Sequence, residues 1–175
     1  MANQDPKTLV ADATKLYQEG DFENAARLFG EAASAFQAED NALEAAEMKN
    51  NQSVAYLQSG DAEASFEAAH GTAEVFLAAG DFRRTGMARS NEATALESSG
   101  RLDEAAQIYR QAADELEKAG EDQLRADVMM AVAGIKLRKW KIMEALLAMH
   151  IGLSGVKQPT LKQKILLSML KLKAW

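Results

Sequence analysis

A glycine followed by a polar residue returns every twenty residues along this chain, at Gly20-Asp21, Gly60-Asp61, Gly80-Asp81, Gly100-Arg101 and Gly120-Glu121. The missing beat falls on Asp40-Asn41, a pair that also tolerates turn geometry. Between the beats lie polar and alanine-rich stretches of about eighteen residues, each helical in period. A fixed period of this kind marks a helical repeat array, in which each unit buries its apolar face only by stacking on its neighbours. Such arrays present binding surfaces, so the expected role is recognition and not chemistry.

The punctuation places the helices. Asp5-Pro6 offers a capping carboxylate with proline at the first helical position, which predicts a helix over 6–18. Gly20 takes the left-handed conformation that ends it and Asp21 caps the next, over 22–38. The same reasoning predicts helices over 42–58, 62–78, 82–98, 102–118, 122–139 and 141–153, and a last helix after Pro159. No segment alternates with period two, so no β-structure is expected.

Composition narrows the function. The chain has 175 residues, enough for one domain or a short solenoid. It has no cysteine, which removes disulfides, thiolate nucleophiles and cysteine metal sites together. His70 and His150 are too few for a histidine metal cage, and each is expected to be a packed, hydrogen-bonded core residue. No phosphate-cradling glycine loop, H-E-x-x-H or G-x-S-x-G occurs, so no catalytic residue, metal ligand or cofactor is assigned and the chain is not expected to be an enzyme. The N-terminal stretch MANQDPKTLV lacks a basic and an apolar region, and no eighteen-residue apolar run follows, so a soluble cytoplasmic protein is expected.

Net charge is −6, but it is unevenly spread. Residues 136–175 carry nine basic residues against the single acid Glu144, a local charge of +8, whereas the first 135 residues stand at −14. The acidic body argues against nucleic-acid binding, and the basic end mixes its lysines with leucines and is no phosphate-tracking arm. Two surfaces with different partners, or contact between the two regions, are expected.

Gly20-Asp21-Phe22-Glu23-Asn24-Ala25-Ala26, Gly60-Asp61-Ala62-Glu63-Ala64 and Gly100-Arg101-Leu102-Asp103-Glu104-Ala105-Ala106 are followed by Phe29, Phe66 and Tyr109 and by Ala32, Ala69 and Ala112. Ala13, Ser53 and Ala93, then Leu16, Tyr56 and Leu96, precede the turns, and a further copy lies in Trp140-Lys141-Ile142-Met143-Glu144-Ala145. These stretches resemble tetratricopeptide repeats. They depart from that family in a forty-residue period, in Ser65 where alanine is expected, and in Phe66 three residues early. The longer period looks more like the soluble NSF attachment protein branch. The resemblance implies an all-α, right-handed α-solenoid of three to four antiparallel helix pairs over residues 1–158, with repeats of about 6–40, 41–80, 81–120 and 121–155. Residues 159–175 are expected to form a basic amphipathic capping helix. Ala13, Ala25, Ala32, Ala93, Ala105 and Ala112 would permit close helix approach, and Leu16, Phe22, Leu28, Phe29, Leu96, Leu102, Ile108 and Tyr109 would fill the layers between.

In tetratricopeptide arrays the first helix of each pair lines the concave face. The resemblance therefore implies a peptide-binding groove carrying Thr14 and Gln18 from the first unit, with Lys7, Val10 and Ala11 beside them. The second unit would add Asn50, Asn51, Val54 and Gln58, the third Ser90, Asn91, Thr94 and Ser98, and the fourth Arg138 with Asp127 and Met130. Side-chain amides donate and accept, so such a ladder suits an extended peptide backbone; the same residues equally suit a solvated helix face.

On the last helix, Leu161, Ile165, Met169, Leu172 and Trp175 form one stripe and Leu166, Leu167 and Leu170 another, with Lys162, Lys164, Lys171 and Lys173 on the flanks. A helix apolar on two faces must bury both. One face would cap the array; the other, Leu166, Leu167, Leu170 and Trp175, would meet a second copy, a different protein or, less favoured, a membrane surface. The preceding helix is apolar nearly all round and is expected to be sandwiched.

Overall fold

The computed structural model describes residues 5–172, and among these every element is helical. In chain order the helices are α1 (Pro6–Glu19), α2 (Phe22–Ala38), α3 (Ala42–Ser59), α4 (Ala62–Ala69), α5 (Thr72–Ala78), α6 (Phe82–Ser98), α7 (Leu102–Lys118), α8 (Asp122–Arg138), α9 (Ile142–Ser154) and α10 (Leu161–Leu172). Neighbours in sequence pack on one another from α1 to α9, with α4 and α5 acting together as one long helix, so the array is an α-solenoid of antiparallel pairs. Each full-length helix is about 26 Å long at 1.5 Å per residue.

The twenty-residue beat is a single repeated turn. Gly20, Gly60, Gly80, Gly100 and Gly120 all have φ between 72° and 89°, and Asp40 and Trp140 adopt the same left-handed conformation at 56° and 57°. At each, the next residue's N–H reaches back to a carbonyl five residues earlier. Asp21 donates to Leu16 and Asp61 to Tyr56 at 2.9 Å, Arg101 to Leu96 at 2.8 Å, and Lys141 to Lys136 at 2.9 Å. That bond satisfies a carbonyl the helix end would otherwise leave open, and it reverses the chain in two residues. The side chains of Asp5, Asp21, Asn41, Asp61 and Asp81 then accept an N–H from the first turn of the following helix.

Between turns the helices meet on small residues at a spacing of forty. Ala13 with Ala25, Ala93 with Ala105, and Ala133 with Ala145 are all fully buried. The second unit has Ser53 and Ser65 at these positions, also buried, with their hydroxyls 3.0 Å apart. The departure from alanine is therefore paired: two serines replace two alanines and satisfy each other in a dry interface. Phe29, Phe36, Phe76, Leu96, Tyr109 and Leu116 fill the layers. Gly86 lets α6 and α7 approach, since a Cβ there would lie 2.6 Å from Leu116 Cγ.

Four expectations need correction. The predicted 62–78 helix is two helices. Gly71 is left-handed at φ 81°, and Thr72 Oγ1 donates to the Ala69 carbonyl at 2.6 Å, occupying the acceptor that a continuous helix needs. Phe76 nonetheless regains the register of Phe36 and Leu116, forty residues away on either side. Secondly, α9 is not sandwiched. It buries Ala145, Ala148, Gly152 and Leu153 but exposes Met143, Leu147 and Ile151, because only a lightly packed α10 follows it. Thirdly, the two faces of α10 are exchanged: Leu166, Leu167 and Leu170 are half-buried, while Leu161, Ile165 and Met169 stand in solvent. A reciprocal Thr160–Gln163 cap and a 3.3 Å bond from Gln163 to Gln123 set the helix in that phase. Trp175, placed with the partner face, lies outside the described residues. Lastly, His70 and His150 are surface residues and not core ones.

The serine pair gives a direct stability test. Ser53→Ala alone should cost about 1–3 kcal/mol because it strands the buried Ser65 hydroxyl, whereas Ser53→Ala with Ser65→Ala should return close to the parent. Urea unfolding of the two single variants and the double variant measures the difference.

Candidate protein-binding furrow

The first helices of the pairs, α1, α3, α6 and α8, lie on one side of the array, and the gaps between them differ. Between α3 and α6 the gap is bridged: Asn91 Nδ2 lies 3.5 Å from Asn50 Oδ1, which also accepts from Thr72 Oγ1 at 3.3 Å. Arg84 adds a link to Glu47 at 3.5 Å while pairing with Asp81 at 2.6 Å. Between α6 and α8, Arg138 pairs with Glu97 at 2.7 Å. Tyr109 sits below, its hydroxyl 2.9 Å from Thr94 Oγ1. Burial pushes that phenol up to about 12, against the lowering effect of the Thr94 bond.

Between α1 and α3 no such bridge forms among the described residues, and α2 shows through as a floor. Phe36 floors a hollow of about 440 Å³ edged by Lys7, Val10, Asn41, Glu44 and Met48. Phe29 floors a second of about 250 Å³ edged by Thr14, Tyr17, Asn51 and Val54. Tyr17 is steadied by an edge-to-face contact with Phe22, ring centres 5.2 Å apart. Phe29 and Phe36 are seven residues apart on α2, so the hollows repeat at about 10 Å along one furrow. A larger hollow of about 930 Å³ lies elsewhere between α2 and α3. It is floored by Gly30, Ala33, Ala35 and Ala38 and rimmed by the Arg27–Glu31 ion pair, Lys49 and Gln52. It offers no large apolar side chain to grip a ligand except the edges of Leu9 and Tyr56.

The expected ladder of polar groove residues is only partly assembled. Thr14 and Asn51 come together across the α1–α3 furrow with Val54. Asn50 is buried and spent on Thr72 and Asn91, so it belongs to the joint between α3, α5 and α6. Ser90 and Thr94 return their hydroxyls to carbonyls four residues back, at 2.8 and 2.7 Å. Arg138 is held by Glu97. Gln18, Gln58 and Ser98 are exposed near the C-terminal ends of α1, α3 and α6, away from either hollow. The floor residues Phe29 and Phe36, and Met48 and Tyr17 at the edges, were not among the expected groove residues. Their signal was the seven-residue spacing of two phenylalanines on a second helix, which also reads as ordinary core.

The break at His70 makes one further link across the array. His70 Nδ1 lies 2.8 Å from Glu92 Oε1, with the imidazole mostly exposed and the carboxylate mostly buried. The Glu92 hydrogen bond raises the His70 pKa above its ordinary value; Glu74 and Glu67 add to this, and burial partly opposes it. Because the folded pKa is raised, the link contributes its full stability below about pH 6.5 and loses it as pH rises through the folded value. A proton NMR titration should find His70 titrating above the ordinary value of an imidazole, and Glu92→Gln should abolish most of that elevation.

The family model described as "Soluble NSF attachment protein, SNAP" matches residues 3–149 of the chain. A search of curated proteins returns no match. The matched segment takes in α1 to α8 and most of α9, the whole stack of forty-residue pairs with their left-handed turns and the open α1–α3 furrow. On that match, the chain belongs to the soluble NSF attachment protein family.

Proposed function

We propose that this protein is a cytoplasmic adaptor that holds an amphipathic helix of a partner protein in the furrow between α1 and α3. Membership of a family of helical-repeat adaptors supports a protein-interaction role in general. The observation that carries the finer reading is the pair of phenylalanine-floored hollows, repeated at two helical turns. A bound helix presenting apolar residues at i and i+7 has the same rise as the floor beneath it. An extended strand would place residues seven apart at more than twice that distance.

Electrostatics favours a basic ligand. Residues 5–59, which form α1 to α3, hold ten carboxylates and four basic side chains. Acidic surroundings attract a positively charged partner and quicken encounter, while apolar anchors in the hollows supply most of the affinity. Self-association through residues 159–175 is not part of this reading, since Leu166, Leu167 and Leu170 are half-buried. Among the described residues no helix is long and apolar enough to cross a membrane, and none of the reading requires one.

Site-specific photocrosslinking tests the furrow. Benzoylphenylalanine in place of Asn51 should capture partner proteins from lysate, whereas the same group in place of Arg110, exposed on α7, should not. Thr14→Arg, which plugs the smaller hollow from an exposed position, should lower capture at position 51 by roughly tenfold or more with unchanged thermal stability. Equal capture at 51 and 110, or capture indifferent to Thr14→Arg, would exclude the furrow.

A further inference from the structure

Among the described residues, nine of the twelve large apolar side chains that stand open to solvent fall between Leu137 and Met169, so exposed apolar surface is concentrated at one end of the array. Trp140 is the extreme at 88% exposed, and Met143 and Leu161 follow at 75% and 74%. From Trp140, Met143 and Leu147 continue at helical spacing along α9; Leu161, Ile165 and Met169 line the open side of α10. Patches of this kind on a folded protein mark interaction surfaces.

The backbone at Trp140 is a second, independent observation. Seven turn positions are left-handed; five hold glycine and one holds Asp40, a residue type that tolerates this conformation. Only position 140 sets a bulky side chain there, at φ 57°. Left-handed backbone costs such a residue about 1–2 kcal/mol, and the exposed indole returns nothing to the core. A residue that breaks the local rule without benefit to the fold points to a use outside it.

Shape and charge select what covers this end. Its apolar side chains protrude, and none of them edges the hollows described above. A two-fold contact between two such ends would bring like charges together, since residues 136–175 carry nine basic residues and one acid. Only Arg138, Lys139 and Lys157 pair with acids outside the segment among the described residues. Lys162 and Lys164 have no carboxylate partner among the described residues. A negatively charged, deformable surface matches both features: it attracts the basic end, repels the acidic body and so orients the array end-on.

We propose that the C-terminal end of the array, centred on Trp140 and the open sides of α9 and α10, docks on an anionic lipid bilayer. The indole and the neighbouring methionine and leucine side chains sit at headgroup depth while Lys162 and Lys164 meet lipid phosphates. The contact is peripheral and reversible, and it is independent of the α1–α3 furrow at the other end of the array.

Vesicle co-sedimentation tests this with the full chain. Vesicles of phosphatidylcholine and phosphatidylserine in equal parts should capture the protein, and pure phosphatidylcholine should capture far less. Trp140→Gly restores the residue the turn prefers, so it should melt no lower than the parent yet partition roughly tenfold or more weakly. Lys162→Gln and Lys164→Gln should each weaken capture about fivefold at low salt. In a Trp175→Phe chain, the remaining indole should shift its emission to shorter wavelength on anionic vesicles. The furrow variant Thr14→Arg should bind vesicles as the parent does. Failure of anionic vesicles to capture the chain, or capture unaffected by Trp140→Gly, would overturn the assignment. So would a dimer in light scattering that Trp140→Gly disperses, because a second copy would then be the cover.

Discussion

One bond recurs at the seven turns spaced twenty residues apart, from Gly20 to Trp140: an N–H just past a left-handed residue, given to a carbonyl five residues back. It ends each helix at a set point and aims the next one back along it. Because the turn consumes only two or three residues, consecutive helices have no freedom to part, and their contact faces must fit at once. Buried alanine pairs, or the Ser53–Ser65 pair, provide that fit. The stack, the furrow and the open end all follow from keeping this geometry in step over seven turns.

Where the repeat departs from its own rule, the departure has a local cause that can be named. Serine for alanine is offset by a partner serine. At His70 and Gly71 a threonine hydroxyl takes the carbonyl that a continuous helix needs, and the second helix of that pair bends. The bend frees His70 to reach Glu92 on α6. Neighbouring gaps between first helices are closed by Asn50, Asn91, Arg84 and Arg138, so the α1–α3 gap is open by contrast. Trp140 has no such offset inside the molecule, which separates it from the other irregularities.

The candidate surfaces were less readable than the scaffold, and the residues show why. Asn50 and Asn51 are adjacent, polar and equally suited to a groove, yet one is consumed by a joint between three helices and the other edges a hollow. Phe29 reads as core and is core, but it also floors that hollow because α1 and α3 stand apart above it. His150 on an apolar helix reads as buried and is not, since little packs beyond α9. Leu166 and Leu161 look alike on a helical wheel, and only the docking phase of α10 tells them apart.

By itself the sequence determined the helix boundaries, the left-handed turns and the small-residue contacts, because capping, backbone conformation and residue size act within a few positions of chain. The α4–α5 break belonged to the same local class and was readable from Gly71 and Thr72. Tertiary structure alone decided which polar groups are spent internally, which gap between first helices stays open and which apolar stripes remain uncovered. Those outcomes depend on how many helices arrive over a given face and in what phase, a quantity set by stacking across forty residues that no single segment encodes.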